Sequence, residues 1–400
     1  MVRSQIQNTF EKGDGVLQFK PCWIPRPFNQ PGRRLKLHPD DYFAFGLKRG
    51  AIVERWFSSV TRVITDDSPE DEGLSYVNTD NTEQGKVLFG EVLEALGADL
   101  IGNELFEKYG TWPMYAKFFD YKLPLFHHVH HGAEDAALVG MNSKPEHYFF
   151  PMQYNNHLGD FPVTYFGIDP GVSKEEVMDC LKNFDNYDTQ ITNLSRAFRL
   201  QLGTGWYTPP MVLHAPGSLL TYEPQWNSDA MSIWENVVAG EVMPKSLLTG
   251  CVPEDKKDDM DFIFNLIDWE KNICADYKDR YFRPPVVCSE DATHKEAWVC
   301  YGNEYIGAKE LTIHPGQEYV SKDQSAYGCI VTQGYGEFGA YQCEAASLLR
   351  YDQFSADEYF VSEDAAKRGV KIVNKAKHEP LVILKHFGPN CGMPESPYKG

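Results

Sequence analysis

The chain has 400 residues, and 57 acidic against 38 basic side chains give it a formal net charge of −19, which argues against a nucleic-acid partner. This length exceeds what one compact core usually holds, so we expect about two domains. The sequence has no stretch of eighteen or more uninterrupted apolar residues and no signal-peptide core at the start, and its nine cysteines are scattered. These features predict a cytoplasmic protein with reduced thiols and no membrane partner.

The first hundred residues predict β-structure followed by one helix. Residues 19–45 are rich in proline, arginine and aromatic side chains, and we interpret them as an arm laid across a sheet or as a subunit contact. Residues 51–63 have the composition of β-structure. Residues 82–96 have helical spacing of apolar side chains, and Gly97 is a natural end for that helix.

Four histidines flank Val129 in the sequence HHVHH. Successive side chains of an extended segment point to opposite faces, so His128 and His130 share one side while His127 and His131 share the other. His128 and His130 could therefore bind the same metal ion. The alternatives are a solvated loop and a fortuitous surface metal trap.

Two further residues complete a mixed nitrogen and oxygen ligand set. Glu146 begins an apolar, aromatic run that predicts a return strand beside the histidines, and His214 ends a short apolar stretch bounded by prolines and a glycine. Three imidazoles and one carboxylate suit a divalent metal. We predict that His128, His130, Glu146 and His214 bind one such ion, zinc first, with iron, manganese or nickel as alternatives.

The rest of the chain alternates between strands and a helical stretch. Residues 146–154 and 161–168 predict antiparallel strands, and Ser173 begins a capping box for a short helix. Helical spacing and charged residues characterise 236–285, whereas short β-type runs return from 286. Many short strands separated by Gly/Pro turns predict a jelly roll.

The order of these motifs resembles type I mannose-6-phosphate isomerases, which are metal-dependent cupins. In that family a Gln-x-His strand precedes Lys-Pro-Glu and a later Pro-x-Gly-x-x-His-Ala turn. The corresponding pieces here are His128-Val129-His130, Lys144-Pro145-Glu146 and the PPMVLHA turn of 209–215. The resemblance runs from about residue 117 to 229. Within it His128 replaces the family's glutamine, and Met211 replaces its turn glycine.

The resemblance implies an aldose–ketose isomerase that acts on a sugar or sugar phosphate by moving a proton between C1 and C2. It also implies three catalytic residues. Glu223, nine residues after His214, would be the acid/base or a substrate ligand, and Lys117 and Lys144 would hold sugar hydroxyls or stabilise negative charge. The alternatives are solvated strand residues for Glu223 and Lys117, and a mere partner of Glu146 for Lys144.

Two departures from the family concern recognition of a phosphate. Phe126 stands where the family has a serine, and Ile233 where it has an arginine, and neither side chain can donate a hydrogen bond. An unphosphorylated sugar therefore stays open as the substrate. So does a phosphosugar held by other basic residues, such as Arg196 or Arg199.

The resemblance implies a mainly β fold with two cupin-type jelly-roll barrels joined by a helical connector. We predict an arm and metal-binding barrel in 1–235, the connector in 236–285, and in 286–400 a metal-free barrel whose inner face is filled by apolar side chains such as Leu311 and Ile313. Two other functions stay open, a cupin iron(II) dioxygenase and a non-catalytic sugar-binding cupin. A homodimer is also open.

Overall fold

The computed structural model describes residues 2–27, 29–64, 67–80, 85–157 and 159–398. The chain is mainly β, as expected. The strands of its N-terminal part are β1 Val16–Lys20, β2 Cys22–Arg26, β3 Ala51–Phe57, β4 Tyr76–Asn78, β5 Lys86–Leu88, β6 Met114–Phe119, β7 His128–Val129, β8 Glu146–Phe149, β9 Val163–Ile168, β10 Ser195–Arg199, β11 Gly205–Thr208, β12 His214–Ala215 and β13 Thr221–Trp226. The later strands are β14 Ser232–Ile233, β15 Val237–Val238, β16 Glu241–Val242, β17 Phe282–Arg283, β18 Val286–Glu290, β19 His294–Cys300, β20 Gly307–Ile313, β21 Glu318–Ser321, β22 Tyr327–Gln333, β23 Tyr335–Phe338, β24 Tyr341–Glu344, β25 Glu358–Val361, β26 Val370–Asn374 and β27 Leu381–Phe387.

The helices are short. They are α1 Val2–Lys12, α2 Phe89–Leu96, α3 Ala98–Ile101, α4 Asn103–Tyr109, α5 Ala133–Leu138, α6 Lys174–Lys182, α7 Lys245–Thr249, α8 Met260–Phe264, α9 Trp269–Ile273, α10 Tyr277–Tyr281 and α11 Glu363–Arg368. In the ranges that the structure describes, none of them is long and apolar enough to cross a bilayer.

Three sheets contain most of the strands. A seven-stranded sheet has the order β17-β11-β8-β13-β6-β3-β2, a five-stranded sheet β10-β9-β12-β7-β14, and a nine-stranded sheet β18-β19-β20-β27-β22-β25-β1-β4-β5. A four-stranded sheet, β21-β26-β23-β24, and the pair β15-β16 complete the described strands. The first two sheets provide the residues predicted to bind the metal.

The seven-stranded and nine-stranded sheets share one apolar cluster. Every residue of β3 and β6 is buried, as expected for strands that are covered on both faces. The cluster contains Ile52 and Phe118 from the seven-stranded sheet and Ala308, Ile330 and Leu384 from the nine-stranded one. Packing between these sheets therefore fixes the strands that carry the predicted catalytic residues.

The N-terminal arm is more regular than its composition indicates. Within 19–45 the chain forms the end of β1 and all of β2, and β1 pairs with β25 and β4 in the nine-stranded sheet. The helix predicted over 82–96 begins only at Phe89, because the residues just before it form β5, which pairs with β4. Residues 81–84 lie outside the described ranges. The helix ends at Gly97, as expected.

The predicted helical connector consists of several short pieces. Asp259 and Asp268 each accept a hydrogen bond from a backbone N–H three residues later, so each begins a new helix, α8 or α9. The apolar spacing is therefore divided among separate helices, and β15 and β16 also lie within 236–285. The capping box at Ser173 does begin α6. The division into two barrels and a connector stays a prediction.

A group of charged side chains is buried among the C-terminal strands. Leu311 is buried there as expected, but Lys309 lies two residues before it on the same face of β20. Lys309 Nζ lies 2.6 Å from Asp323, and Lys385 Nζ lies 2.8 Å from the other oxygen of that carboxylate. Glu296 contacts both lysines. These four residues, the charged quartet, correct the expectation of a wholly apolar interior.

Candidate metal centre

Pairing between short strands brings the predicted ligands together. In the five-stranded sheet β12 pairs with β7, which places His214 opposite His128, and His130 follows directly after β7. Glu146 begins β8 of the seven-stranded sheet. The side chains of the two sheets meet between them, and all four residues are at most 3% exposed.

The four side chains form one compact cluster. One ligand atom from each of His128, His130, Glu146 and His214 lies within 4.8 Å of all the others. Atoms spaced in this way lie within about 3 Å of a common point, close to the ~2.1 Å bonds of nitrogen and oxygen ligands to zinc. Small side-chain adjustments would therefore complete a coordination shell.

Backbone carbonyl groups orient the three imidazoles. A carbonyl oxygen can only accept a hydrogen bond, so each Nδ1 must carry the proton and each Nε2 must offer its lone pair. Such outer hydrogen bonds fix the ring orientation of histidines that bind metals. The three bonds run from His128 to Phe126 at 3.0 Å, from His130 to Ala230 at 2.8 Å and from His214 to Val212 at 2.8 Å.

The electrostatics and the unpaired atoms also fit a cation. Burial lowers the pKa of His128, and burial together with Lys144 lowers that of His130 to about 3, so both rings are neutral. Burial alone would raise the pKa of Glu146, but the charge of Lys144 holds it well below its ordinary value. Within the described residues, His214 Nε2 and Glu146 Oε2 are buried and make no well-aligned hydrogen bond, although His214 Nε2 lies 3.1 Å from Glu146 Oε1 and Lys144 Nζ lies 3.1 Å from Glu146 Oε2. A bound divalent ion would satisfy both atoms.

The other two histidines of the HHVHH segment face away from the cluster. His127 Nε2 lies 2.7 Å from the hydroxyl of Ser195, and His131 Nε2 lies 2.8 Å from that of Ser232. Both rings are buried, which excludes a solvated loop for this segment. The alternation expected of an extended segment therefore sorts the four histidines into two facing groups.

The three predicted catalytic residues line the same cavity as His128, His130 and Glu146. Lys117 on β6 lies directly opposite Glu223 on β13, and its Nζ is 3.1 Å from Glu223 Oε1. Lys144 Nζ lies 3.6 Å from that oxygen and 3.1 Å from Glu146 Oε2. Burial, and next the charge of Glu146, raise the pKa of Glu223 to about 8. Both sequence interpretations of Lys144 are compatible with these contacts.

Several cavity residues were not predicted from the sequence. Tyr148 donates a hydrogen bond of 2.5 Å to Glu146, and strand alternation could have identified it, since it lies two residues further along the same strand. Arg26 binds both oxygens of Glu54, at 3.0 and 3.2 Å, and lies 3.8 Å from Asp229. These contacts join residues far apart in the chain, for which no local signal exists.

Met211, at the position of the turn glycine in the resembled family, has a left-handed backbone conformation of the kind that glycine adopts readily. Its φ is +67°, in the left-handed region that costs an ordinary residue roughly 1–2 kcal/mol. Hydrogen bonds hold it there, because its N–H donates to the carbonyl of His130 and its own carbonyl accepts from the Asn272 side chain. The turn that presents His214 is thus kept without glycine.

The two departures near the ligands belong to the same buried apolar cluster, but only Phe126 also lines the cavity. Phe126 lines the cavity, and its ring centroid lies 5.5 Å from that of His128. Ile233 pairs with His128 across β14 and β7, is 2% exposed and belongs to an apolar cluster that also contains Leu213 and Trp234. Phe126 therefore shapes the site directly, whereas Ile233 is a buried core residue.

The cavity has a narrow apolar rim. Its volume is about 30 Å³, room for small groups such as water but not for a sugar ring. Among its lining residues only Leu125 and Met231 are partly exposed, and all the others are buried. These two side chains therefore form the rim, and a larger ligand would have to displace them.

No protein-family model matches the sequence, and no curated protein matches it. The structure, however, is similar to mannose 6-phosphate isomerase from Bacillus subtilis, at a TM-score of 0.61 and 15% identity over 93% of this chain and 99% of that chain. It is similar to a phosphomannose isomerase variant from Salmonella typhimurium, at a TM-score of 0.58 and 11% identity over 94% of this chain and 100% of that one. A zinc-bound mannose 6-phosphate isomerase matches at a TM-score of 0.58 and 10% identity, with coverage of 94% and 100%. The expected resemblance is therefore confirmed at the level of the fold, and the chain has the mainly β cupin fold of the mannose 6-phosphate isomerases.

Proposed function

We propose that this protein is a metal-dependent aldose–ketose isomerase that acts on a sugar or sugar phosphate. The observation that carries the proposal is that a cluster of metal-binding side chains lies next to a carboxylate that could transfer a proton. The oriented cluster of His128, His130, Glu146 and His214 lies beside a carboxylate, Glu223, that is linked to two lysines. The fold shared with mannose 6-phosphate isomerases, one of them zinc-bound, supports the same function.

The ligand set suits a divalent ion, zinc first, with iron, manganese or nickel as alternatives. When bound, such an ion supplies Lewis-acid stabilisation of the negative charge that develops on the sugar oxygens. The four ligands hold the ion, and the buried walls exclude bulk water. The remaining chemistry is a proton transfer between C1 and C2.

Glu223 is the residue proposed to carry that proton. Its raised pKa lies near neutral pH, where a carboxylate can both take and return a proton, the condition under which acid/base catalysis is most efficient. Lys117 fixes the orientation of its carboxylate from the neighbouring strand. Lys144, between Glu223 and Glu146, is placed to donate a hydrogen bond to a sugar oxygen that gains negative charge.

The test combines metal analysis with NMR. Purified protein should contain one divalent ion per chain. Loaded with that ion and incubated with aldoses, ketoses and their phosphates in D2O, it should form the partner sugar, with deuterium entering at C1 or C2. Iron-dependent oxygen uptake would instead indicate a dioxygenase, and ligand binding without turnover of any sugar would indicate a sugar-binding cupin. Either outcome would refute the isomerase proposal.

A further inference from the structure

Every cation that lines the cavity, in the part of the chain that the structure describes, is matched to a carboxylate. An anion that entered would meet basic side chains whose charge is already balanced by a carboxylate, and buried ion pairs of this kind are costly to break. The three pairs are Arg26 with Glu54 at 3.0 Å, Lys117 with Glu223 at 3.1 Å and Lys144 with Glu146 at 3.1 Å.

Two carboxylates, those of Glu54 and Asp229, lie beside Arg26. Glu54, which accepts hydrogen bonds from Nε and Nη2 of Arg26, also accepts hydrogen bonds from Trp56 and Tyr121, so the carboxylate is held rigidly in place. Asp229 adds a second carboxylate 3.8 Å from the guanidinium and is itself 4% exposed. The environment of this arginine is therefore already negative, which opposes binding of a phosphate dianion.

The rim of the cavity also lacks charge. A sugar would have to enter past the rim, so if its reacting carbons faced the metal ligands, its far end, where a terminal phosphate would be attached, would lie beside the rim. The partly exposed side chains there are Leu125 and Met231. Apolar side chains can cover the C–H face of a sugar ring, but they cannot donate a hydrogen bond to a phosphate.

The two basic residues named from the sequence for a phosphate, Arg196 and Arg199, do not line the cavity. Arg196 donates to the backbone carbonyls of Asn272 and Cys274. Arg33 and Lys122 belong to a separate surface groove, where Lys122 lies 3.9 Å from Asp160. This groove offers basic side chains that could hold a phosphate outside the cavity, so it is tested as an alternative.

We propose that the substrate of this site is an unphosphorylated sugar and that the paired cations and apolar rim select against sugar phosphates. The inference rests on the proposed function, because it assigns the substrate class of the same cavity. An unphosphorylated sugar differs from the substrate after which the mannose 6-phosphate isomerases that share the fold are named.

The first experiment compares the two substrate classes on the full-length, zinc-loaded protein. The probes are D-mannose and D-fructose against mannose 6-phosphate and fructose 6-phosphate, with aldopentoses and their phosphates as a second set. We expect kcat/KM to favour the free sugars by at least about tenfold, since burying a like charge is worth more than that factor. Inorganic phosphate should not compete with the free sugar. Equal or higher kcat/KM for the phosphates would overturn the proposal.

The second experiment changes the charge beside Arg26. Asp229→Asn keeps the size of the side chain and should shift the ratio of kcat/KM values at least about threefold towards the phosphates, because it lowers the negative charge that a phosphate meets. The matched control is Asp160→Asn, which removes the same charge beside Lys122 in the surface groove. It should leave the ratio unchanged. A shift with Asp160→Asn and none with Asp229→Asn would place phosphate recognition in the groove and overturn the proposal.

A binding measurement separates this inference from the isomerase proposal. If no sugar is turned over, the isomerase proposal fails, but the melting temperature of the zinc-loaded protein still reports which class binds, since a ligand that binds the folded state stabilises it. Stabilisation by free sugars and not by sugar phosphates would uphold the inference. Stabilisation by the phosphates, or by neither class, would refute it.

Discussion

Replacing Glu223 by glutamine gives the sharpest test of the proposed proton transfer. The carboxylate is 3% exposed and has Lys117 at 3.1 Å and Lys144 at 3.6 Å. Glutamine has the same size and can still accept a hydrogen bond from a lysine, but it cannot take up a proton. Loss of a general acid/base usually lowers the rate by about 10²–10⁴, which corresponds to roughly 3–5 kcal/mol in the activation barrier. We therefore expect kcat to fall by that factor.

The assay follows deuterium incorporation at C1 or C2 by NMR, with metal content measured on the same sample. Metal content should stay at the wild-type value, because Glu223 is not one of the four ligands. KM should change little if Glu223 acts as a base and not as a substrate ligand, since an interaction made only in the transition state affects kcat. The variant alters the partner of the buried Lys117, so the rate should be measured well below the melting temperature of the variant.

Glu235→Gln is the matched control for this variant. Glu235 is also a largely buried carboxylate with a raised pKa, about 7, caused by its burial, but it accepts a hydrogen bond from the backbone N–H of His127, on the side away from the cavity. Its glutamine variant should keep the full rate. If Glu223→Gln retained the rate within about threefold, well under the effect of losing an acid/base group, Glu223 would not be the proton carrier.

Three further predictions concern the metal and the stability of the fold. His214→Ala should lower metal content severely because it removes one of four ligands, whereas His131→Ala, which changes a ring on the other face, should retain the ion; equal loss in both would contradict the assignment. Burial raises the pKa of Glu310 in the native state to about 7, whereas in the unfolded chain it stays near about 4.5. As pH rises from about 4.5 to about 7, the unfolded chain loses this proton first, so the native state loses stability relative to the unfolded chain. Glu310→Gln should therefore be more stable than the wild type at pH 8 by about 1–3 kcal/mol, with the gain disappearing near pH 4.5, as measured by urea unfolding. Asp323→Asn should cost about 3–5 kcal/mol because it leaves two buried lysines with one carboxylate, while Glu318→Gln, which breaks an exposed pair, should cost under about 1 kcal/mol.

The sequence was most informative where the structure depends on neighbours along the chain. Strand alternation placed His128 and His130 on the same side, and the capping box located the start of α6. The order of motifs predicted that Glu146 and His214 belong to the same site, although they lie on different sheets. The cupin resemblance explains that success, since local patterns alone do not bring separate strands together.

Contacts between distant residues account for what the sequence did not predict. The apolar side chains of residues 86–88 continue the helical spacing of the residues that follow. These three residues nevertheless form β5, because Val87 pairs with Val77 on β4. Tertiary pairing thus overrides a local preference. Arg26 and Glu54 likewise meet only because β2 and β3 are neighbours, and neither residue lies in a recognisable motif. Without knowledge of strand order, such a pair cannot be distinguished from ordinary surface charges.

The charged quartet has a consequence for how the C-terminal strands find their alignment. Lys309 on β20 and Lys385 on β27 lie directly opposite each other, an unfavourable pairing that is relieved because Asp323 and Glu296 contact both amines. A slip of one residue between β20 and β27 would turn one lysine to the other face and leave a carboxylate buried without its cation. Only the native alignment neutralises all four charges, so we expect the quartet to select against misaligned sheets during folding. It would then serve the accuracy of assembly more than the stability of the finished protein.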